Sequence, residues 1–184
     1  TISLHQFLEK IKKNKVENVI IETSSHGLHQ KRINNLELKA GIFTNFSQDH
    51  LDYHKSMNEY LNAKLILFNK LLGDKKTIIT DKSIKEFLIL KKISKKRNLK
   101  LIDISKIKEK LNKYSDLKFN DFQKKNLSMA IAAAKLSRLK DKTIYNSLNK
   151  IKDVDGRFEL VRKFPNNIKV YVDFAHTPDA LKKS

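Results

Sequence analysis

Two short apolar runs decide the fold: Val-Glu-Asn-Val-Ile-Ile-Glu at 16–22 and Ala-Gly-Ile-Phe-Thr at 40–44. Each has the length and composition of a buried strand. The 17 residues between them, 23–39, can hold a crossover with a short helix, so the two strands can lie parallel. Helical patterns alternate with further apolar runs, which predicts an α/β fold: a mostly parallel sheet with helices on both faces.

Polar side chains come directly after both apolar runs. Glu22 ends the first run, and residues 45–50, which include Asn45 and His50, follow the second. Ligands of open parallel sheets bind beyond the carboxyl ends of the strands, so these side chains are expected at one edge. A carboxylate at that edge suits Mg²⁺, which prefers oxygen ligands and phosphate partners. Two alternatives stay open, namely that Glu22 caps a helix and that His50 is an ordinary loop histidine.

Lys64 lies on the apolar face of its own predicted helix. Positions three, four and seven residues away share a face with it. Those positions hold only apolar or aromatic residues: Met57, Tyr60, Leu61, Leu67, Phe68 and Leu71. Burial disfavours the ammonium form and lowers a lysine pKa. The neutral amine is a nucleophile and can add carbon dioxide to become a carbamate; the alternative is a lysine that snorkels to water.

The remaining runs predict the other elements in the same way. Helices are expected at 3–14, 26–33, 56–72, 81–97, 122–139 and 142–151, and strands at 75–80, 99–104, 158–163 and 168–173. The sequence of residues 105–121 favours neither a helix nor a strand. None of the four glycines lies in a G-x-x-x-x-G-K-[ST] loop, and no serine lies in a nucleophile elbow.

The composition favours a globular protein of the cytoplasm. The chain has 184 residues, enough for a core, and no apolar run approaches the length of a membrane span. Residues 1–9 lack the pattern of a signal peptide. Cysteine is absent, which excludes disulfides and thiolate chemistry. We therefore expect a cytoplasmic protein without a membrane partner.

The net charge of +19 would ordinarily indicate a nucleic-acid partner. However, 34 of the 39 basic residues are lysine and only five are arginine, the residue that base readout favours. The lysines are dispersed, and the phenylalanines fall at core spacing, so they do not form a stacking surface. The sequence thus argues against nucleic-acid binding, although a basic, non-catalytic binding protein remains an alternative.

Five motifs, in this order and spacing, resemble those of the Mur ligase family. They are Glu22-Thr-Ser-Ser-His-Gly-Leu-His-Gln-Lys-Arg32, Phe43-Thr-Asn-Phe-Ser-Gln-Asp-His-Leu-Asp-Tyr-His54, Ala63-Lys64, Asp155-Gly-Arg157 and Asp173-Phe-Ala-His-Thr-Pro-Asp-Ala180. The resemblance extends over nearly the whole chain and implies the central ATP-binding α/β domain of that family. A folylpolyglutamate- or cyanophycin-type amide ligase is the alternative within the same class.

The resemblance implies roles for individual residues. Glu22 and His50 match Mg²⁺ ligands, and Lys64 matches a carbamylated lysine that serves as an extra carboxylate at the metal. Ser24, Gln30 and Arg32 match residues that hold the UDP-linked substrate. The ATP site would be formed by Asn45 near the metal, Asn126 at the adenine, Arg157 at the phosphates, and Asp173 and His176 around the ribose and base.

The branch that these motifs resemble most adds the third amino acid, meso-diaminopimelate or L-lysine, to UDP-MurNAc-L-Ala-D-Glu in peptidoglycan synthesis. ATP would activate the glutamate carboxylate as an acyl phosphate. By resemblance, residues 1–163 are the central domain without its phosphate loop, and 164–184 are the junction with a C-terminal domain. The expectation is an internal fragment that is inactive alone.

Overall fold

Three parallel strands form the central sheet in a computed structural model that describes residues 2–112, 119–152 and 154–183. The strands are β1 (Ala40–Ile42), β2 (Thr77–Thr80) and β3 (Lys100–Asp103), in the order β1-β2-β3. Gly41 of β1 pairs with Ile78 of β2, which pairs with Leu101 of β3. All three strands therefore end at the same edge, as the sequence predicts.

Helices lie before, between and after the strands of this sheet and of a separate hairpin. They are α1 (Ile2–Lys13), α2 (Ser25–His29), α3 (Met57–Ile66), α4 (Phe87–Lys96), α5 (Ser105–Asn112), α6 (Asp121–Leu136), α7 (Asp141–Asn146) and α8 (Pro178–Lys183). A π-helical turn, Leu67–Leu71, continues α3, and a 3₁₀ turn, Leu148–Lys150, follows α7. Strands β4 (Glu159–Lys163) and β5 (Lys169–Val172) pair antiparallel. No helix of the described residues is long and apolar enough to cross a membrane.

The core lies on both faces of the sheet because neighbouring residues of β2 point in opposite directions. Ile78 packs into a cluster with Phe68 and with Leu90 of α4. Ile79 packs with Met129 of α6 on the other face. The predicted α/β arrangement, with helices on both faces, is therefore confirmed.

A close approach between β1 and the π-helical turn fixes the helix that carries Lys64. A Cβ atom at Gly41 would lie 2.8 Å from Cε1 of Phe68 and 3.1 Å from Cδ2 of Leu67. Only glycine leaves room for this packing. At the far end of the turn, the guanidinium of Arg97 donates to the carbonyl oxygens of Asn69 and Leu72. Contacts at both ends of the π-helical turn therefore hold α3 in place.

The predicted strand at 16–22 is wrong. Residues 16–24 form neither strand nor helix, and Ile20 is 88% exposed. An apolar run becomes a strand only where a neighbouring strand takes its backbone hydrogen bonds. Among the described residues, β1 pairs only with β2, so residues 16–22 have no partner there. Glu22 therefore does not end a strand of this sheet.

Most of the other predicted elements are present, with shifted ends. The helix expected at 81–97 begins only at Phe87, because Asp81 accepts a hydrogen bond from the Ser83 amide in a turn. The stretch 105–121 contains α5, and its residues 113–118 lie outside the described residues. The strands expected at 158–163 and 168–173 form the β4–β5 hairpin.

Candidate active site

A cavity of about 260 Å³ lies beyond the carboxyl end of β1. Three parts of the chain line it: the segment after β1 with α3, the start of α6, and the base of the β4–β5 hairpin with the residues after it. The lining residues are Asn45, Ser47, Asp49, Tyr60, Asn120, Phe122, Gln123, Arg157, Phe158, residues 173–177 and Ala180. Four of the five predicted ATP-binding residues, namely Asn45, Arg157, Asp173 and His176, thus lie around one cavity.

The fifth, Asn126, is exposed and does not line the cavity. The first turn of α6 presents Asn120, Phe122 and Gln123 instead. Asn120 Oδ1 accepts from the Gln123 amide at 2.8 Å, and Gln123 Oε1 accepts from the Asn120 amide at 3.0 Å. This capping box was not predicted, although an Asn with a Gln three residues later is its signature.

Asp173 organises the hairpin side of the cavity. Its carboxylate accepts from the Phe158 amide at 2.6 Å and from the Ala175 amide at 2.7 Å. Phe158 stacks on Tyr171 of β5 with ring centroids 4.5 Å apart. The guanidinium of Arg157 lies 5.0 Å from the Phe174 ring centroid. The same carboxylate therefore ties both ends of the hairpin together beside the cavity.

Lys64 lies among apolar groups, as its helical pattern predicts. Its Nζ atom is 5.2 Å from the centroid of the Tyr60 ring and 5.9 Å from that of Phe43. Burial lowers the pKa of Lys64, and the negative charge of Asp49 opposes this in part. Burial also raises the pKa of Tyr60 to about 12, with a further contribution from Asp49. The lysine therefore loses its proton more readily than an exposed lysine does.

His50 also lies beside Tyr60, with ring centroids 5.5 Å apart. Its backbone is left-handed, with φ of 55°, and its amide donates to Asp49 Oδ1 at 2.7 Å. The ring atom Nδ1 lies 3.6 Å from the same carboxylate oxygen. His50, Asp49 and Lys64 thus surround Tyr60. Asp49 was not predicted as a site residue; its place directly before His50 is the signal that points to it.

A buried hydrogen bond joins α2 to this group. The ring atom Nε2 of His54 lies 2.9 Å from Oγ of Ser25, and the His54 ring stacks on Tyr60 at 5.4 Å. Burial lowers the pKa of His54, as do the charges of His26, His29 and His50, while Glu59 raises it. A neutral His54 therefore connects α2 to the helix of Lys64.

The three predicted substrate-binding residues lie on one exposed surface at α2. Ser24 caps α2, and its Oγ accepts from the Gly27 amide at 3.1 Å. Arg32 Nε donates to Gln30 Oε1 at 3.0 Å, and Gln30 Nε2 donates to the Tyr53 hydroxyl at 3.4 Å. The polar groups of Gln30 and Arg32 are thus oriented together. They lie beside a histidine cluster that comprises His26, His29, His50 and His54.

Glu22 is the predicted metal ligand that stands apart. It is exposed, and in the described part of the chain no hydrogen bond or ion pair links it to His50 or Lys64. Nor do the described residues contain three acidic or histidine side chains close enough to hold a metal ion. The oxygen atoms available beside Tyr60 nevertheless suit Mg²⁺. Asp49 offers carboxylate oxygens, and carbamylation of Lys64 would add a second carboxylate.

Comparison with known proteins places this chain in a family. Residues 1–151 match the family described as the Mur ligase middle domain. The chain is 33% identical over 204 residues to the UDP-N-acetylmuramoyl-L-alanyl-D-glutamate--2,6-diaminopimelate ligase of Rickettsia bellii, with all of this chain and 42% of that protein covered. The enzyme of the same name from Aquifex aeolicus is 34% identical, covering 98% of this chain and 40% of its own length.

Solved structures share the fold. A structure of UDP-N-acetylmuramoyl-L-alanyl-D-glutamate--2,6-diaminopimelate ligase matches with a TM-score of 0.62 and 23% identity, covering 87% of this chain and 37% of that one. Acinetobacter baumannii MurF matches with a TM-score of 0.62 and 11% identity, covering 79% of this chain and 36% of that one. The chain spans about two fifths of the length of the relatives it matches. Because the family match covers residues 1–151, the chain belongs to the Mur ligase family.

Proposed function

We propose that the protein containing this chain is an ATP-dependent amide ligase of peptidoglycan synthesis. It joins meso-diaminopimelate, or L-lysine as the second candidate, to the D-glutamate of UDP-MurNAc-L-Ala-D-Glu. The names of the relatives favour diaminopimelate. The observation that carries the proposal is the cavity. Four of its lining residues are those that the family resemblance assigns to ATP, and a fifth, Tyr60, contacts Lys64. The cytoplasm, where ATP and UDP-linked precursors occur together, is the proposed location.

The reaction proceeds in two balanced steps. A carboxylate oxygen of D-glutamate attacks the γ-phosphorus of ATP, ADP leaves, and an acyl phosphate forms. The amine of the incoming amino acid then attacks the acyl carbon, phosphate leaves, and the nitrogen loses a proton. Arg157 stabilises the negative charge that develops on the transferred phosphate. Asn45, Asp173 and His176 orient the nucleotide, and Ser24, Gln30 and Arg32 hold the UDP-linked dipeptide.

Mg²⁺ would neutralise phosphate charge during transfer. Within this proposal His50, Asp49 and a carbamylated Lys64 would hold it, with Glu22 as the further ligand that the family resemblance assigns. The carbamate forms when the neutral Lys64 amine adds carbon dioxide and releases a proton. The lowered pKa of Lys64 supports this step, because it increases the fraction of neutral amine.

The test of function uses the full product of the coding sequence that contains this chain. Purified protein is incubated with ATP, Mg²⁺, UDP-MurNAc-L-Ala-D-Glu and either diaminopimelate or lysine. We expect ADP and phosphate release that requires the dipeptide substrate, and a tripeptide product with diaminopimelate. Release that needs a folate or an arginine–aspartate polymer instead would support the alternative ligases, and no ATP-dependent product with any of them would contradict the proposal.

The carbamate is tested by NMR with isotopically labelled bicarbonate. We expect a carbamate carbon signal in the unsubstituted protein that is absent from Lys64→Met. A spectrum without the signal at saturating bicarbonate and Mg²⁺ would leave Lys64 as an unmodified buried lysine and would contradict this part of the proposal.

A further inference from the structure

Two lysines lie near the start of α6. Lys124 and Lys125 follow Gln123 and precede Asn126, which carries the resemblance to an adenine-binding residue. The N-terminal end of a helix is the positive end of its dipole, so a cation there gains nothing from the helix itself. Only 19% of the Lys125 side chain is exposed, and a largely buried charge is normally paired with an opposite one.

That partner is Asp81, at the carboxyl end of β2. Asp81 is 6% exposed, and its Oδ2 atom lies 3.6 Å from Nζ of Lys125. Its Oδ1 atom accepts from the Ser83 amide at 2.8 Å. The two side chains are 8% and 19% exposed, which makes this the most buried ion pair of the described residues. Water therefore screens the attraction less than at the surface.

The Asp81 carboxylate keeps its negative charge in spite of burial. Burial alone would raise the pKa of Asp81, but hydrogen bonds from Ser83 and the charges of Lys125 and Lys108 outweigh it and lower the pKa. Removing one partner would leave the other buried and unpaired, which costs far more than losing a surface contact. The first turns of α6 are therefore tied to the edge of the sheet where ligands are expected.

The Asp81–Lys125 ion pair lies beside residues that line the cavity. Lys125 is two residues beyond Gln123, which lines the cavity and closes the capping box with Asn120. The rest of α6 is fixed by apolar contacts of Met129 and Ala132 with the sheet. The other ionic contact at this end, Lys108 with Asp121 at 3.7 Å, involves an Asp121 side chain that is 86% exposed and contributes little.

We propose that the Asp81–Lys125 ion pair is a positioning device that holds the first turns of α6 against the sheet and thereby sets the affinity of the cavity for ATP. The inference rests on the proposed function, since it names ATP as the ligand. Asp81 and Lys125 act through Asn120, Phe122 and Gln123 and are positioning residues, because neither lines the cavity.

The experiment compares Lys125→Met, Asp81→Asn and the double variant in the full product of the coding sequence. In each single variant we expect the KM for ATP to rise about tenfold, while the KM for the UDP-linked substrate and kcat change less than about twofold. The double variant should be no worse than the singles, because the two changes remove one interaction. Lys125→Arg, which keeps the charge, should restore most of the affinity.

A second readout does not depend on turnover. ATP stabilises a protein that binds it, so the ATP concentration that gives half of the maximal thermal shift should rise by the same factor of about ten. Glu37→Gln is the matched control. The exposed Glu37 carboxylate lies 2.9 Å from Nζ of Lys76, which precedes β2 and is therefore at the opposite edge of the sheet from Asp81. This control should leave both ATP readouts unchanged.

Three results would contradict the proposed role of the Asp81–Lys125 ion pair in ATP binding. A KM for ATP that stays within about twofold in Lys125→Met would overturn the inference, as would an equal rise in the KM of both substrates. A lower melting temperature with an unchanged ATP midpoint would show that the pair only stabilises the fold. If the unsubstituted protein shows ligase activity with another nucleotide or no ATP-induced stabilisation, the proposed function fails, and the ATP role of the pair fails with it.

Discussion

At the scale of single residues, Lys64 carries the clearest link between sequence and chemistry. Its burial follows from helical periodicity alone, because the apolar positions around it belong to its own helix. The residues that complete its surroundings could not be predicted in this way. Asp49 approaches Lys64 and Tyr60 only after the loop folds back over α3, and the Ser25–His54 hydrogen bond joins residues 29 positions apart. Long-range contacts of this kind leave no periodic signal.

Lys64→Met tests the chemical role of the lysine. We expect the ligase rate of the full protein to fall about 100-fold or more, because an interaction that stabilises transferred charge is lost. The melting temperature should stay the same or rise, since a buried amine is replaced by an apolar chain of similar length. Lys70→Met, at an exposed position of the π-helical turn, is the control and should keep its activity. Full activity in Lys64→Met would contradict the role.

His54 should make the stability of the fold depend on pH. Its folded-state pKa is lowered, so the unfolded chain binds a proton more readily. The stabilising contribution of neutral His54 is therefore complete above about pH 6.5, the unfolded value, and is lost as the pH falls below it. In His54→Gln, urea unfolding at a series of pH values should show a smaller loss of stability in acid. His5→Gln on α1, outside the cluster, should retain the full slope.

At the scale of elements, the sequence predicts the strands that have partners and fails for the one that does not. Residues 40–44, 75–80 and 99–104 contain β1, β2 and β3. Residues 16–22 have equally apolar composition but no neighbouring strand in the described chain. Local composition indicates what a segment can bury, whereas strand formation also needs a hydrogen-bonding neighbour. The domain boundary expected at 163/164 falls in the turn between β4 and β5 and stays a prediction.

The close packing of β1 on the π-helical turn predicts the effect of Gly41→Ala. The added methyl group would meet Phe68 at 2.8 Å, so α3 must shift or the core must strain. We expect a loss of about 1–3 kcal/mol in the free energy of unfolding and a lower kcat, because Lys64 moves with α3. Gly73→Ala is the matched control, as its nearest neighbour would be 3.7 Å away. Equal stabilities of the two variants by urea denaturation would refute the packing argument.

The capping box of α6 gives a second prediction for an element. Asn120→Ala removes the side chain that accepts from the Gln123 amide. We expect the free energy of unfolding to fall by about 1 kcal/mol. Asn62→Ala, at an exposed position of α3, should change it much less. Urea denaturation of both variants makes the comparison, and an unchanged stability in Asn120→Ala would mean that water replaces the cap without cost.

At the scale of the whole molecule, the net charge of +19 opposes the folded state through self-repulsion. Added salt screens this repulsion, so the melting temperature should rise between 50 and 500 mM NaCl by a few degrees, about 2–4 °C. Differential scanning fluorimetry in NaCl and in an equal ionic strength of KCl makes the measurement. A melting temperature that falls with salt would mean that attractive ion pairs outweigh the repulsion.

The histidine cluster gives this chain an optical reporter, because two tyrosine rings lie against it. The chain has five tyrosines and no tryptophan, so its ultraviolet fluorescence comes from phenol rings. Tyr53 and Tyr60 both lie against the cluster, and Tyr60, with a pKa of about 12, keeps its proton to high pH. Quenching by the neighbouring imidazole rings should change whenever α2 moves relative to α3. Intrinsic emission of this chain is therefore expected to report a movement of α2 relative to α3, without a dye or a label.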